Sequence, residues 1–428
     1  MLSNYQKYTA DLQDLLLTIA NDGVDQHLEA LASAVDGQAA AELRNLVGLS
    51  ARREQGAFFT TGALRAKAVP TPPHDDEVVY FDPACGAGDL LVESAKRLPV
   101  SDSLGATVQH WGEHLLGCDV EPLFVETTKL RLLLTAAYRT GQTAPGEMPR
   151  DAFPSVVVGD GHSQERFASR CHHIVLNPPF GYVEAPAETQ WAKGRVSGAA
   201  VFLAKVLQYA PAGVTITAIL PDVLRSGTRY RKWRSMVESM MEISDLENCG
   251  LFDEETDVDV FILRGTRSDG SAIPGPWAPR HDHKTVGDFF DVHVGAVVPH
   301  RDPKTGPRRP FIWPRRLPLS GSFDPGGKWR RFSGRTFDPP FVAIRRTSRP
   351  GQKRRAGGVL IVGDSPVAVE NHLLVAVPKN GAESECLELM EVLAAPGSRE
   401  WLDQQIRTRH LTVSSVSGLP WPDDDAHV

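Results

Sequence analysis

The sequence predicts an α/β protein: a mostly parallel sheet, then a region of mixed, β-rich structure. Three observations carry this. From about residue 78, short apolar runs alternate with amphipathic segments long enough for helices, the pattern of a parallel sheet covered on both faces. Several of the runs close on Asp82, Asp119, Asp160 or Asn177, at the carboxyl ends where open α/β sheets bind ligands. After Gly265 the texture turns to Pro, Gly and Ser, then to arginine-rich stretches with little helical spacing.

In chain order, residues 1–50 read as a helical segment. Leu12, Leu15, Leu16 and Ile19 recur at helical spacing, as do Leu28 and Leu31. The expected strands are "VVYF" (78–81), "LLGCDV" (115–120), "SVVVGD" (155–160), "HIVLN" (173–177), "VTITAIL" (214–220) and "VDVFIL" (258–263). Helices are expected over 89–98, 121–138, 199–210 and 229–242. No long helix precedes the last run, so it reads as an antiparallel hairpin partner of "ISDLEN" (243–248). The stretch "SDGSAIPGPWAPR" (268–280) reads as a linker. Beyond it, helical spacing returns only at "CLELMEVLAA" (386–395). The division is therefore 1–50, 51–267 and 268–428.

Composition bounds the function. The 428 residues are 41% hydrophobic and 23% charged, as in globular proteins. No apolar run reaches the roughly 18 residues that span a bilayer, and the N-terminus lacks a signal-peptide layout. Five scattered cysteines form no C-x-x-C pair, so neither a metal site nor a disulfide framework is expected. The expected location is the cytoplasm, with no membrane partner. The net charge is −7, yet residues 300–357 hold sixteen Lys/Arg against three Asp. An acidic body thus carries a basic arm or face, which is either a solvated loop or a surface for a polyanion.

Two stretches carry chemistry. "FDPACGAGDLL" (81–91) sets Asp82 at a strand tip and Gly86 and Gly88 in the turn to the next helix, where glycine lets backbone approach a ligand. The spacing is neither G-x-G-x-x-G nor a Walker loop. "HIVLNPPF" ends at Asn177, Pro178, Pro179 and Phe180. Asn177 offers an acceptor and a donor. The prolines give up their N–H groups and fix φ, which leaves the Pro178 carbonyl for the cleft. Two such acceptors can grip both hydrogens of one amino group and favour a tetrahedral nitrogen whose lone pair attacks. Phe180 offers a flat face to a planar base or amide.

"GAFFTT" (56–61), "DPACGAG" (82–88) and "NPPF" (177–180), in that order, resemble the motifs of gamma-class N6-adenine DNA methyltransferases of restriction-modification and phage-defence systems. "RTRHLTVSSVSGLPWP" (407–422) resembles the close of a target-recognition domain. The resemblance implies a Rossmann-like seven-stranded methyltransferase sheet over 51–267, with the helical segment before it and a DNA target-recognition domain over 268–428. It implies S-adenosylmethionine as cofactor. Phe58, Phe59 and Thr60 would close over its methionine part. Asp82, Ala84, Gly86 and Gly88 would line its amino-acid moiety, Asp119 its ribose and Asp160 its adenine. Asn177, Pro178, Pro179 and Phe180 would hold a flipped target adenine, with Phe252 as a second stacking ring. Arg345, Arg346, Arg349, Lys353, Arg354 and Arg355 are expected on the DNA backbone. The implied partners are double-stranded DNA and a separate restriction endonuclease or defence subunit.

The gap between Asp82 and Asp119 is long, and "PVSDSLGATVQHWGE" (99–113) reads as a surface insertion. His172 and His173 show no ligand spacing. Two other functions fit the motifs: methylation of a protein glutamine or of RNA, and a DNA-binding defence subunit whose transferase core does not turn over.

Overall fold

The computed structural model describes residues 3–36, 39, 41–42, 60, 62–71, 78–142, 152–252, 258–270, 275, 277, 284–406 and 409–422. They form two compact units: Met1–Arg225 with Arg229–Pro276, and Ser226–Thr228 with Trp277–Val428.

The first unit is organised by a seven-stranded sheet. Its strands are β1 (Tyr80–Asp82), β2 (Leu115–Asp119), β3 (Val156–Val158), β4 (His173–Leu176), β7 (Thr215–Pro221), β8 (Met241–Leu251) and β9 (Asp259–Arg267), in the order β3-β2-β1-β4-β7-β9-β8. A small hairpin, β5 (Tyr182–Glu184) with β6 (Arg195–Ser197), stands apart from it. Five strands, β3 to β7 across the sheet, run parallel. β9 runs antiparallel to both of its neighbours. That matches the expected hairpin with 243–248. Central strands are buried throughout: Tyr80, Phe81, Ile174, Val175 and Leu176 are at most 1% exposed, which is why they read as unbroken apolar runs. The order reverses between β1 and β4, so a crevice opens at their carboxyl ends.

The helices of this unit are α1 (Ser3–Asp22), α2 (Leu28–Val35), α3 (Gly62–Ala68), α4 (Asp89–Ala95), α5 (Leu104–His114), α6 (Pro122–Thr140), α7 (Gly198–Tyr209) and α8 (Arg231–Met240), besides shorter turns. α6 starts where Glu121 caps Leu123 N and Pro122 opens the first turn, and it stops at Gly141 with φ +65°. α1 and α2 pack on α6. Tyr5, Leu12 and Leu16 share one apolar core with Phe124, Leu130 and Leu134, and Thr9 Oγ1 meets Thr127 Oγ1 at 2.8 Å.

One expectation is corrected here. Residues 99–113 are not a surface insertion. Most of them form α5, capped by Ser103, with Trp111 fully buried and its Nε1 donating to Pro99 O at 2.8 Å.

The second unit is β-rich. Its strands are β10 (Phe290–Val294), β11 (Arg308–Ile312), β12 (Ser322–Phe323), β13 (Trp329–Arg331), β14 (Phe341–Arg345), β15 (Gly358–Ile361), β16 (Ala368–Val369) and β17 (Leu373–Pro378). One sheet has the order β10-β17-β14-β15-β12 and a second β13-β11-β16. Side chains alternate across the larger sheet. Val342, Ile344, Leu360 and Leu374 pack with α9 (Glu383–Ala394) and α10 (Pro396–Gln405). Phe341, Ala343, Val359 and Val375 fill a separate core on the opposite face.

Candidate active site

The crevice at the β1/β4 reversal holds a cavity of about 390 Å³, within the usual ~300–1,000 Å³ of small-molecule sites. Asp82, Ala84 and Gly86 line it from the glycine loop, Asp119 from the tip of β2, Asp160 from beyond β3, and Asn177 and Pro179 from the end of β4. Thr60 joins them from the first motif. Segments more than a hundred residues apart thus meet around one space.

The loop geometry explains the glycines. Gly86 and Gly88 have φ of +50° and +85°, a region that L side chains rarely adopt. A Cβ on Gly88 would lie 2.8 Å from Thr128 Cγ2. Thr128 Oγ1 donates to Gly86 O at 2.8 Å, tying the loop to α6. Asp82 Oδ1 accepts from Ala84 N at 3.0 Å, a turn Asp makes easily. The Asp119 carboxylate accepts from Gly86 N at 3.0 Å and from Glu121 N at 2.9 Å. It therefore fastens the β2 tip to the glycine loop.

Behind the loop lies a buried charge network. Asp89, the first residue of α4, accepts from Arg65 at 3.2 Å and from Arg131 at 3.0 Å. Arg131, fully buried, also donates to Ala87 O in the loop and to Ala34 O and Val35 O at the end of α2. Arg65 pairs on its other side with Asp36. Burial is the largest influence and opposes the charge on Arg131, but Asp89 with the nearby Tyr8 and Tyr5 hydroxyls holds the guanidinium above its ordinary pKa.

The carboxylates differ in their readiness to ionise. Burial pushes Asp82 up to about 8, against the Ala84 hydrogen bond and with help from nearby Asp119 and Asp89. Burial also raises Asp119. Asp160 is exposed, and burial opposes its charge only partly. Hydrogen bonds from His162 N and Nδ1, at 2.9 and 2.7 Å, hold it below its ordinary value. Among the described residues neither buried Asp82 nor half-buried Asp119 pairs with a cation, and a cationic ligand would complete both. The residues present therefore fit a positively charged nucleoside such as S-adenosylmethionine. Phe124, Leu90 and Phe202 supply apolar wall.

Asn177 Nδ2 donates to Thr60 Oγ1 at 3.0 Å, a bond that fixes the amide plane. Pro178 is buried and Phe180 half-buried. The Phe180 ring meets Phe252 edge-on, with centroids 5.4 Å apart. Phe252 is 2% exposed, so it supports Phe180 from within the core. That corrects its reading as a second stacking surface, because its own faces are covered. Phe58 and Phe59 lie outside the described residues. His172 accepts from Val79 N, and buried His173 bonds Thr217 Oγ1 at 3.0 Å. Burial lowers His173 to about 4.

Sequence reasoning misses Asp89, Glu121, His162 and Phe202, which also line the cavity. The signal for three of them is position: an acid directly after Gly88, and polar residues within two of Asp119 and Asp160.

The arginines of the second unit divide sharply. Arg345 donates to Leu317 O and Pro318 O, both at 2.8 Å, and Arg346 to Leu411 O and Asn371 O. Arg355 is 1% exposed, bonded to Ser348 and Ile406 and paired with Asp403 at 2.9 Å. Its expected place on a DNA backbone is therefore corrected: the guanidinium points into the fold and holds loops together. Arg349, Lys353 and Arg354 are exposed.

No family model matches the sequence, and no curated protein matches it either. Solved structures do. The Type IIL restriction-modification enzyme MmeI, solved with DNA, is 13% identical, with a TM-score of 0.55 over 90% of this chain and 70% of its own. The type IIG restriction endonuclease BpuSI is 14% identical over 84% of this chain and 57% of its own, with a TM-score of 0.38. The Type I restriction enzyme EcoKI M protein is 15% identical over 64% and 65%, with a TM-score of 0.36. This chain has a fold found in a restriction-modification enzyme.

Proposed function

We propose that the chain transfers a methyl group from S-adenosylmethionine to the exocyclic amine of an adenine flipped from duplex DNA. We further propose that it serves a restriction-modification or related defence system, and that residues 268–428 recognise the target. A separate nuclease or defence subunit belongs to the same proposal. The observation that supports this best is the convergence of Thr60, the D-P-A-C-G-A-G loop and Asn177 on one cavity.

When bound, the cofactor supplies a methyl group activated by a sulfonium. Asp82, Ala84 and Gly86 receive the amino-acid end, Asp119 the ribose and Asp160 the adenine amine. Asn177 and the Pro178 carbonyl take the two N–H bonds of the target amine. Both hydrogen bonds tighten as positive charge grows on that nitrogen, so they favour the transition state over the bound substrate. Thr60 keeps the Asn177 amide from rotating. Phe180 covers the face of the base, and Phe252 steadies Phe180.

The test is incubation with duplex DNA and labelled cofactor, followed by nucleoside analysis. The expected product is N6-methyladenine at a recurrent sequence. Asn177→Ala should lower turnover by on the order of 10²–10³-fold while still binding cofactor. Label found only in protein or RNA would overturn the reading.

A further inference from the structure

From the edge ribbon of the second unit we infer a phosphate-gripping surface for duplex DNA, formed by Arg308, Arg331 and Trp329. β11 and β13 run antiparallel with Arg308 directly opposite Arg331 and Pro310 opposite Trp329. Directly opposed residues of a ladder share a face, and like charges placed so destabilise the pair. Both arginines are exposed. Among the described residues neither makes an ion pair. Arg331 bonds a neutral carbonyl, Gly306 O, at 3.2 Å. The Arg308 guanidinium lies over the Trp329 ring, 5.2 Å from its centroid, and that ring is 45% exposed.

The neighbouring cations behave differently. Arg316 and Arg330 donate to backbone carbonyls and sit over Phe323 and Phe311, so they serve the fold. Arg316 is half-buried and Arg330 buried, whereas Arg308 and Arg331 stay exposed despite the Trp329 stack and the Gly306 bond, and an anion shared by the two would relieve their like charge. Protection of a sheet edge is the simpler explanation of surface charge. It requires only a charge of either sign on β13, not a cation facing a cation across the ladder. An indole pinned by a guanidinium adds a flat apolar face beside that anion. Phosphates flanked by sugars and bases present this combination. All three lie within the basic stretch 300–357 but outside 345–355, where contacts to the DNA backbone are expected.

The inference rests on the proposed function for its choice of duplex DNA, and one experiment separates the two. A labelled duplex is titrated with the full chain by fluorescence anisotropy across 50–200 mM salt. Wild type, Arg308→Ala/Arg331→Ala, Arg308→Lys/Arg331→Lys and Trp329→Ala are compared after each is shown to melt as wild type does. The double alanine variant should flatten the plot of log affinity against log salt by ~2, about 0.9 for each phosphate no longer neutralised. The double lysine variant should keep most of the slope. Trp329→Ala should bind about tenfold more weakly with the slope unchanged. If wild type binds duplex but the double alanine variant has the same slope, the ribbon does not grip phosphate and the inference falls alone. If wild type prefers single-stranded RNA or binds no duplex, the underlying reading falls and takes the ribbon with it.

Discussion

Replacing Asp82 by asparagine should stabilise the cofactor-free protein and abolish its hold on the cofactor. Burial lifts the Asp82 carboxyl from an ordinary 3.8 to about 8. Between those values the folded chain keeps a proton that the unfolded chain has released. Stability from this group is therefore complete below pH 4 and drains as pH rises through 8. Each pKa unit is ~1.4 kcal/mol, so the full penalty is on the order of 5 kcal/mol above pH 8. Asparagine cannot ionise and keeps an acceptor for Ala84 N. Urea unfolding at pH 5, 6, 7 and 8 without cofactor should show Asp82→Asn gaining on wild type by ~3–4 kcal/mol across that range. A cationic ligand reverses the preference, because it pairs with the ionised acid. Below pH 8 its binding to wild type should then release a proton, visible calorimetrically as a dependence on buffer ionisation enthalpy. An advantage that is constant from pH 5 to 8, with no proton release, would refute the reasoning.

Three further outcomes follow from the same geometry. Arg131→Met leaves a buried Asp89 carboxylate short of one partner and three carbonyls short of a donor. It should cost ~3–5 kcal/mol, seen as a melting point lowered by about 10 °C, and a loss under ~1 kcal/mol would contradict the network. Gly161→Ala puts a Cβ 1.9 Å from Pro83 O and 2.7 Å from Phe202 Cζ. The Asp82 loop must shift, so cofactor affinity measured by titration calorimetry should fall at least about tenfold, roughly the effect of 1.4 kcal/mol. Arg355→Met should lower the melting point by removing the Asp403 pair yet leave the salt dependence of DNA binding unchanged, since a buried guanidinium meets no phosphate.

How legible each feature is in the sequence depends on how local its cause is. The strands ending at Asp82, Asp119 and Asn177 read correctly because both faces of the central sheet are covered, so their composition alone marks them. The convergence of Thr60 with Asn177 spans 117 positions and follows from motif order, not from any local rule. α5 escapes a reading based on gap length, although Leu104, Val108 and Trp111 are spaced for one buried helical face. That spacing is the better guide. Arg355 and Phe252 escape for another reason. A charge run or an aromatic before a strand does not say which side chains turn inward. Their partners, Asp403 and Phe180, lie 48 and 72 positions away. Asp89 looks like an ordinary first residue of a helix, and Arg65 and Arg131, 24 and 42 positions off, make it a hub.

The packing of α1 and α2 against α6 bears on how far the first unit can be trimmed. These helices contribute Tyr5, Leu12, Leu16 and Leu31 to the core that includes Leu90 and Leu91 of the cofactor-side helix. The end of α2 supplies two of the carbonyls that hold Arg131. They are an inner wall of the layer that carries the seven-stranded sheet. A fragment starting at the glycine loop would expose that wall and take from the Arg131 guanidinium two of its three carbonyl acceptors. The same segment supplied in trans as a peptide should then dock and restore the fold, which makes this seam a natural place to split the protein into two halves that report on their own reassembly.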